Sequence, residues 1–152
     1  MAYKWQFNKY KASPQQAGEL FEEIEKRDGI ITPESVLDAA RPEDSVIHND
    51  FEWDNAKAAE KYRLSQAQKM IQLLVYVSDD EKPPVRVFVN SVSENSKAKY
   101  INIDRAMGSD DVKKVVLANA RRDLEIFESK YHRYEELSKV ITPISEYLEE
   151  TS

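Results

Sequence analysis

The sequence predicts an α+β fold, in which an N-terminal helical subdomain is followed by a small antiparallel three-stranded sheet that a long C-terminal helix covers. Two Ser/Thr–Pro pairs in the first quarter of the chain are typical of helix starts. Apolar residues alternate with polar ones after residue 70, as in strands, and recur at three-and-four spacing after residue 110, as in a helix. We therefore divide the chain into residues 1–70, a helical subdomain with a basic aromatic arm, and residues 71–152, a β-meander with the long helix.

Length and composition bound the class of protein. A chain of 152 residues with 41% hydrophobic residues suffices for one compact domain or two small subdomains. The absence of cysteine excludes disulfides, thiolate catalysis and cysteine-based zinc sites. No apolar run approaches the roughly 20 residues that span a bilayer, and the N-terminal residues lack the apolar core of a signal peptide. We expect a cytoplasmic protein without membrane contact.

Charged residues are unevenly distributed. The net charge of −6 argues against general nucleic-acid binding, whose affinity comes largely from cations. Two stretches are nevertheless basic: residues 1–11 carry three lysines and no acid, and residues 57–69 carry four cations against one acid. In the first, Tyr3, Trp5 and Phe7 alternate with lysines, which predicts a short strand or extended arm with its aromatic side packed down. The alternative is a stacking platform for nucleic acid, which also combines aromatics with cations.

Two helices are predicted before residue 42. Ser13 followed by Pro14 begins the first helix, and Gly29 ends it. Thr32 followed by Pro33 begins the second, which is short. In both cases the hydroxyl side chain caps the helix and proline fits its first turn.

A third helix follows a polar connection and is expected to begin at Asp54, whose carboxylate suits an N-cap. One side of this helix is small and can pack closely against another element; it comprises Ala58, Ala59, Tyr62 and Gln66. The opposite side is cationic with an apolar residue in its middle; it comprises Lys57, Lys61, Leu64 and Gln68. Two helices followed by a basic helix also outline a helix-turn-helix-like module.

The second half of the chain is predicted to pair three strands and to end in a long helix. Residues 71–77, 85–89 and 100–103 alternate apolar side chains and form the antiparallel meander. The helix is expected to run over residues 110–141, and Pro143 ends or kinks it. Its apolar residues have the spacing of a coiled-coil seam, which predicts a homo-oligomer; they are Leu117, Ala120, Leu124, Phe127, Tyr131 and Tyr134.

The sequence shows no catalytic or metal-binding pattern. With three glycines, the chain has no phosphate-binding glycine loop. The two histidines, His48 and His132, lack the spacing of paired metal ligands. His48 lies near Asp50 and Glu52 and could act as a general base, but a histidine that packs or caps before the third helix is the favoured interpretation. We predict no enzymatic activity, no metal site and no cofactor.

Three aromatic residues surround the start of the third helix. Phe51 and Tyr62 are predicted to lie in the core. Trp53 has two interpretations, which the sequence leaves open. It is either a core residue with a partner for its indole N–H, or an interaction residue that anchors a protein interface together with Leu64.

The run GIITPESVLDAARPEDSVIHNDFEWDNAKAAEKYRLSQAQKMI, with PVRVFVNSV and YINI downstream, resembles a group of short phage and prophage-encoded proteins of uncharacterised function. In that group a Thr-Pro-Glu helix start precedes a His-x-x-Phe-Glu-Trp-Asp block and an Ala-Ala-Glu-x-Tyr-Arg helix. The resemblance covers residues 29–134, and residues 51–63 are its most specific part. It implies a viral or prophage origin and action inside a host cell, and it brings no established activity.

We therefore expect a non-enzymatic phage accessory protein that binds nucleic acid, either DNA or RNA, and forms an oligomer through its long helix. The residues predicted to contact nucleic acid are Lys57, Lys61, Arg63, Gln68, Lys4, Lys9 and Lys11. The alternative is a protein-interaction module, an inhibitor or adaptor of a host or phage protein, which suits the acidic net charge.

Overall fold

A computed structural model describes residues 2–93 and 96–152, apart from the side chains of Lys57 and Ala58. Within this part of the chain, six α-helices accompany a three-stranded antiparallel sheet and a separate two-stranded ladder. The predicted α+β class, with its long helix near the C-terminus, is confirmed. In the same residues, no helix combines the length and the apolar character needed to cross a membrane.

The elements follow one another with short connections. The helices are α1 (Pro14–Asp28), α2 (Pro33–Ala40), α3 (Lys57–Leu73), α4 (Ile103–Met107), α5 (Asp110–Tyr131) and α6 (Ser138–Glu150). The strands are β1 (Ala2–Trp5), β2 (Leu74–Val77), β3 (Val85–Arg86), β4 (Phe88–Asn90) and β5 (Tyr100–Asn102). Short 3-10 turns at residues 48–50 and 135–137 precede α3 and α6.

Helices α1 and α2 begin where their capping residues predict. The Ser13 hydroxyl accepts a hydrogen bond from the backbone N–H of Gln16, and Thr32 and Ser35 form a reciprocal capping box. Gly29 ends α1 in the left-handed conformation, with φ at 77°, which a residue without Cβ adopts at little cost. The capping residues and Gly29 therefore suffice to predict where α1 begins and ends and where α2 begins.

The N-terminal arm supplies a strand of the three-stranded sheet. β1 pairs antiparallel with β2, opposite Leu74 to Val77, and β2 pairs in turn with β3. Tyr3 and Trp5 are buried, and the Trp5 indole donates to the carbonyl of Ala12 at 2.9 Å. The packed aromatic side predicted for the arm is confirmed for Tyr3 and Trp5 but not for Phe7, which lies beyond β1 and is 62% exposed. The sheet joins residues from both sides of position 70.

The predicted meander differs from the observed pairing. Helix α3 continues through Ile71 to Leu73, so β2 begins only at Leu74. Ala67, Met70 and Ile71 are fully buried at helical spacing, and this burial favours helix over strand there. β5 does not join β2 and β3; it pairs with β4, and the backbone of Tyr100 exchanges two hydrogen bonds with Ile31.

The C-terminal helix is interrupted where continuity was predicted. Helix α5 ends at Tyr131 rather than near residue 141, and α6 folds back on it and continues through Pro143. The Arg121 guanidinium donates to the carbonyl of Leu148 at 3.0 Å and ties the two helices together. No residue of α5 is fully buried, whereas α6 buries Ile141 and Leu148.

We predict that Gly18→Ala destabilises the protein, because an added Cβ would overlap the Tyr3 ring that packs on α1. Overpacking of this kind costs about 1–3 kcal/mol, which outweighs the roughly 1 kcal/mol that alanine contributes to helix propensity. Gly108→Ala is the matched control, since the nearest atom to its Cβ would lie at 3.5 Å. Urea unfolding measures both variants, and equal stability of the two would contradict the prediction.

Candidate functional site

The segment before α3 is held by a buried cation. Arg63 is 5% exposed, and its guanidinium donates to the backbone carbonyls of Glu52 and Asp54. The sequence prediction that Asp54 is the N-cap of α3 is wrong, because Ala56 occupies that position. The helix begins after Ala56, which makes no side-chain capping bond. Because its guanidinium is used inside the protein, Arg63 is also not the surface phosphate contact that was predicted.

Trp53 belongs to the same cluster. Its ring stacks on His48 with centroids 4.7 Å apart, and the Arg63 guanidinium lies 5.1 Å from its centroid. The indole N–H donates to the carbonyl of His48 at 2.8 Å. The Nδ1 atom of His48 lies 2.7 Å from the carbonyl of Ala40, which can only accept, so Nδ1 carries the proton. Of the two interpretations of Trp53, the structure supports the packed one.

Asp50 clasps the N-terminal arm. Its two carboxylate oxygens accept hydrogen bonds from the backbone N–H groups of Lys11, at 2.7 Å, and Ala12, at 2.9 Å. His48 and Asp50 are thus each engaged with other partners, and the structure does not join them into an acid–base pair. The clasp positions the arm alongside α3.

A groove of about 420 Å³ lies between the arm and α3, and we call it the arm–α3 groove. The residues that give it its chemical character are Lys9, Tyr10, Asp50, Tyr62, Gln66, Gln68 and Lys69. Tyr62, Gln66 and Lys69 lie four and three residues apart, so they share one face of α3. The helix presents an aromatic ring, an amide and a cation to the groove in that order.

Tyr62 is exposed, which corrects its assignment to the core. Its side chain is 58% exposed, whereas the neighbouring Arg63 is buried together with Ala67 and Met70 on a side of α3 about 100° around the helix. The predicted core position of Phe51 is confirmed. A buried arginine departs from the usual preference of this residue type, whereas tyrosine is common both inside proteins and at their surface.

Two cations meet in the groove. The pKa of Lys9 lies below its usual value, because the side chain loses hydration against the protein and because the Lys69 ammonium lies nearby. Burial raises the pKa of Tyr10 to about 12, and the Asp50 carboxylate contributes to the shift. The Tyr10 hydroxyl is buried without a hydrogen-bond partner among the described residues. Two adjacent ammonium groups repel each other, and an anion between them would relieve this repulsion.

The other predicted site residues are dispersed. Lys4, Lys11 and Lys61 are exposed but do not line the arm–α3 groove, while Leu64 is half-buried and packs against the core. The side chain of Lys57 lies outside the described part of the structure. Of the seven residues predicted to contact nucleic acid, the groove brings together Lys9 and Gln68.

The sequence prediction missed Tyr62 and Lys69 as site residues. The two residues are seven positions apart, which is about two helical turns, so they lie on the same face of a helix. An aromatic residue near a helix start is also typical of the core, which is the position that the sequence predicts for Tyr62. That Tyr10 and Lys9 face the same helix depends on the clasp at Asp50, for which the sequence offers no local signal.

Comparisons with protein-family models, curated proteins and solved structures found no match to this chain. Among residues 2–93 and 96–152, no three histidine or acidic side chains are grouped so that they could hold a metal ion. We therefore infer a function from the shape and charge of the arm–α3 groove.

We predict that Arg63→Met lowers the free energy of unfolding by about 2 kcal/mol, because it removes charge-assisted hydrogen bonds to two backbone carbonyls. Arg63→Lys is expected to be destabilising as well, since an ammonium cannot donate in the same fork geometry. Lys61→Met is the control on the exposed side of α3 and should change stability by about 0.5 kcal/mol or less. Urea unfolding followed by circular dichroism checks this, and equal stabilities of Arg63→Met and Lys61→Met would refute it.

Proposed function

We propose that the protein binds nucleic acid, without catalysing a reaction, through the arm–α3 groove. The observation that carries this proposal is the convergence of Lys9 and Lys69 beside the exposed ring of Tyr62. Two ammonium groups suit a phosphate, and an exposed aromatic ring offers a surface on which a base can stack. Gln66 and Gln68 add amide groups that can both donate and accept hydrogen bonds.

The distribution of charge supports binding at this place on an acidic protein. The chain carries −6 overall, so its net charge disfavours the approach of phosphate to the protein as a whole. Lys61, exposed next to Tyr62, and Lys11, exposed on the arm, extend the cationic character beyond the groove. Asp50 opposes it, although both of its oxygens accept backbone N–H groups. Binding of this kind should weaken steeply as salt rises.

The biological setting remains a proposal. A role as a phage accessory protein inside a host cell rests on the resemblance of residues 29–134. Recognition of duplex DNA by a helix-turn-helix-like arrangement also remains a prediction, and residues 41–56 separate α2 from α3. The groove itself requires neither of these to bind phosphate and bases.

We predict that Lys69→Glu weakens binding of a fluorescein-labelled oligonucleotide on the order of tenfold at low salt, because it removes one cation and places an acid beside Lys9. The loss of one phosphate contact should also reduce the slope of log affinity against log salt by about 0.7 for a single strand. Fluorescence anisotropy at several salt concentrations measures both quantities.

Lys139→Glu is the matched control for this experiment. It makes the same change of charge on α6, where Lys139 is exposed and lines no part of the groove. We expect its affinity to stay within about twofold of the wild type, as for a distant screened charge. Absence of binding by the wild-type protein at low salt would refute the function, and equal losses in the two variants would refute the site.

A second candidate function is self-association, which one observation favours. Helix α5 has 22 residues and buries none of them fully, although it carries the predicted apolar seam. Leu117 is 50% exposed and Tyr134, just beyond the helix, is 58% exposed. We propose that a second copy of the chain covers this seam, as two helices do in a coiled coil. If it does not, the same seam is available to a different protein, as in the predicted interaction module.

We predict that the wild-type protein is a dimer and that Leu117→Lys makes it monomeric, because a charge in an apolar seam is costly to bury. Ile126→Lys is the matched control: it is 57% exposed and lies on the other side of α5. Light scattering coupled to gel filtration gives the mass of each variant. A monomeric wild type at tens of micromolar would contradict self-association.

A further inference from the structure

A second depression adjoins the arm–α3 groove. It has a volume of about 300 Å³ and lies between α3, strands β3 to β5 and α5; we call it the α3–α5 cleft. Its polar residues include Arg86, Asn90, Tyr100, Asn119 and Arg122. Gln68 and Gln72 line both depressions, so the two meet along one side of α3.

The two depressions together are more basic than the rest of the protein. Their cations are Lys9, Lys69, Arg86 and Arg122, and their acids are Asp50 and Asp123. Four cations against two acids leave a local charge of +2, on a chain whose net charge is −6. Each depression contributes two cations, so each can bind a separate negative group. An elongated anion with several negative groups, such as a polyphosphate chain, is therefore attracted along both depressions.

The cleft also has groups that suit nucleobases. The Gln72 amide donates to the Tyr100 hydroxyl at 3.2 Å, and the Asn119 amide donates to the carbonyl of Val92 at 3.1 Å. These bonds restrain both amides, and each keeps a carbonyl oxygen that can accept from a base. Ile126, 57% exposed, adds an apolar surface at the α5 side of the cleft. Restrained amides beside apolar surface favour base edges and faces over free phosphate.

We propose that the arm–α3 groove and the α3–α5 cleft form one continuous path for a single-stranded nucleic acid, which deepens and rests on the function proposed above. A single strand exposes its base faces to Tyr62 and its base edges to the amides of the path. In a duplex the base faces are stacked and the Watson–Crick edges are paired, so stacking on Tyr62 and contact with those edges are both prevented. A flexible strand can also follow the turn from one depression into the other.

The length of the path indicates how many nucleotides it accommodates. From Tyr62 to Gln72 the helix rises about 15 Å, which corresponds to about four stacked nucleotides of a single strand. The α3–α5 cleft continues beyond Gln72 towards Arg86 and Arg122. A strand of four nucleotides therefore covers the length of α3 that lines the arm–α3 groove, and a longer strand is needed to continue towards Arg86.

Arg86→Glu tests the path with labelled tetrathymidylate, decathymidylate and a ten-base-pair duplex, each by fluorescence anisotropy. Arg86 is exposed on the short strand β3, so its replacement leaves the core intact, and thermal unfolding verifies this. We expect the decamer to bind the wild type more tightly than the duplex. The variant should lose on the order of tenfold in affinity for the decamer and nothing measurable for the tetramer.

Lys82→Glu is the matched control, since Lys82 is exposed in the loop before β3 and lines neither depression. It should bind the decamer as the wild type does. If Arg86→Glu binds the decamer normally, or if the duplex binds as tightly as the decamer, the continuous path is overturned while the arm–α3 groove stands. If no oligonucleotide binds the wild type, both the path and the proposed function are overturned.

Discussion

The guanidinium of Arg63 lies where the irregular segment before α3 meets the helix, and the geometry of the site depends on it. A buried cation is costly unless acceptors surround it, and the carbonyls of Glu52 and Asp54 serve as those acceptors. Its contact with the Trp53 ring also restrains that side chain, which in turn stacks on His48. One arginine thus holds a stretch of chain whose only regular structure is a short 3-10 turn.

The segment that Arg63 holds also fixes the position of the N-terminal arm. Asp50 lies between His48 and Trp53 in the chain, and its carboxylate binds the backbone of Lys11 and Ala12. The residues just before them, Lys9 and Tyr10, then form one wall of the arm–α3 groove. Successive helical residues point about 100° apart, so burying Arg63 leaves Tyr62 on the surface. The interior cation and the exposed ring are therefore two results of one orientation of α3.

How much of this structure the sequence predicts depends on the range of the interaction. The caps of α1 and α2 lie within three residues of the groups they bind, and both helices were predicted correctly. Asp54 has the chemistry of a cap, but Arg63 engages its backbone and α3 starts later. The pairing of β1 with β2 joins residues about 70 positions apart, and nothing local specifies it. No local sequence signal predicts the arm–α3 groove either, because its two walls come from the arm and from α3, which are far apart in the chain.

The loosely packed helix α5 has a thermodynamic consequence. Segments with few buried contacts open locally at a lower free energy than the core, and α5 buries no side chain fully whereas α3 buries Ala67, Met70 and Ile71. The α3–α5 cleft takes one wall from each of these helices. A molecule that binds only when α5 is folded shifts the local unfolding equilibrium of this helix towards the folded state. The protection of the α5 amides from exchange therefore rises with occupancy of the cleft. The helix of the cleft with fewer buried side chains is thus the one whose order reports on its ligand.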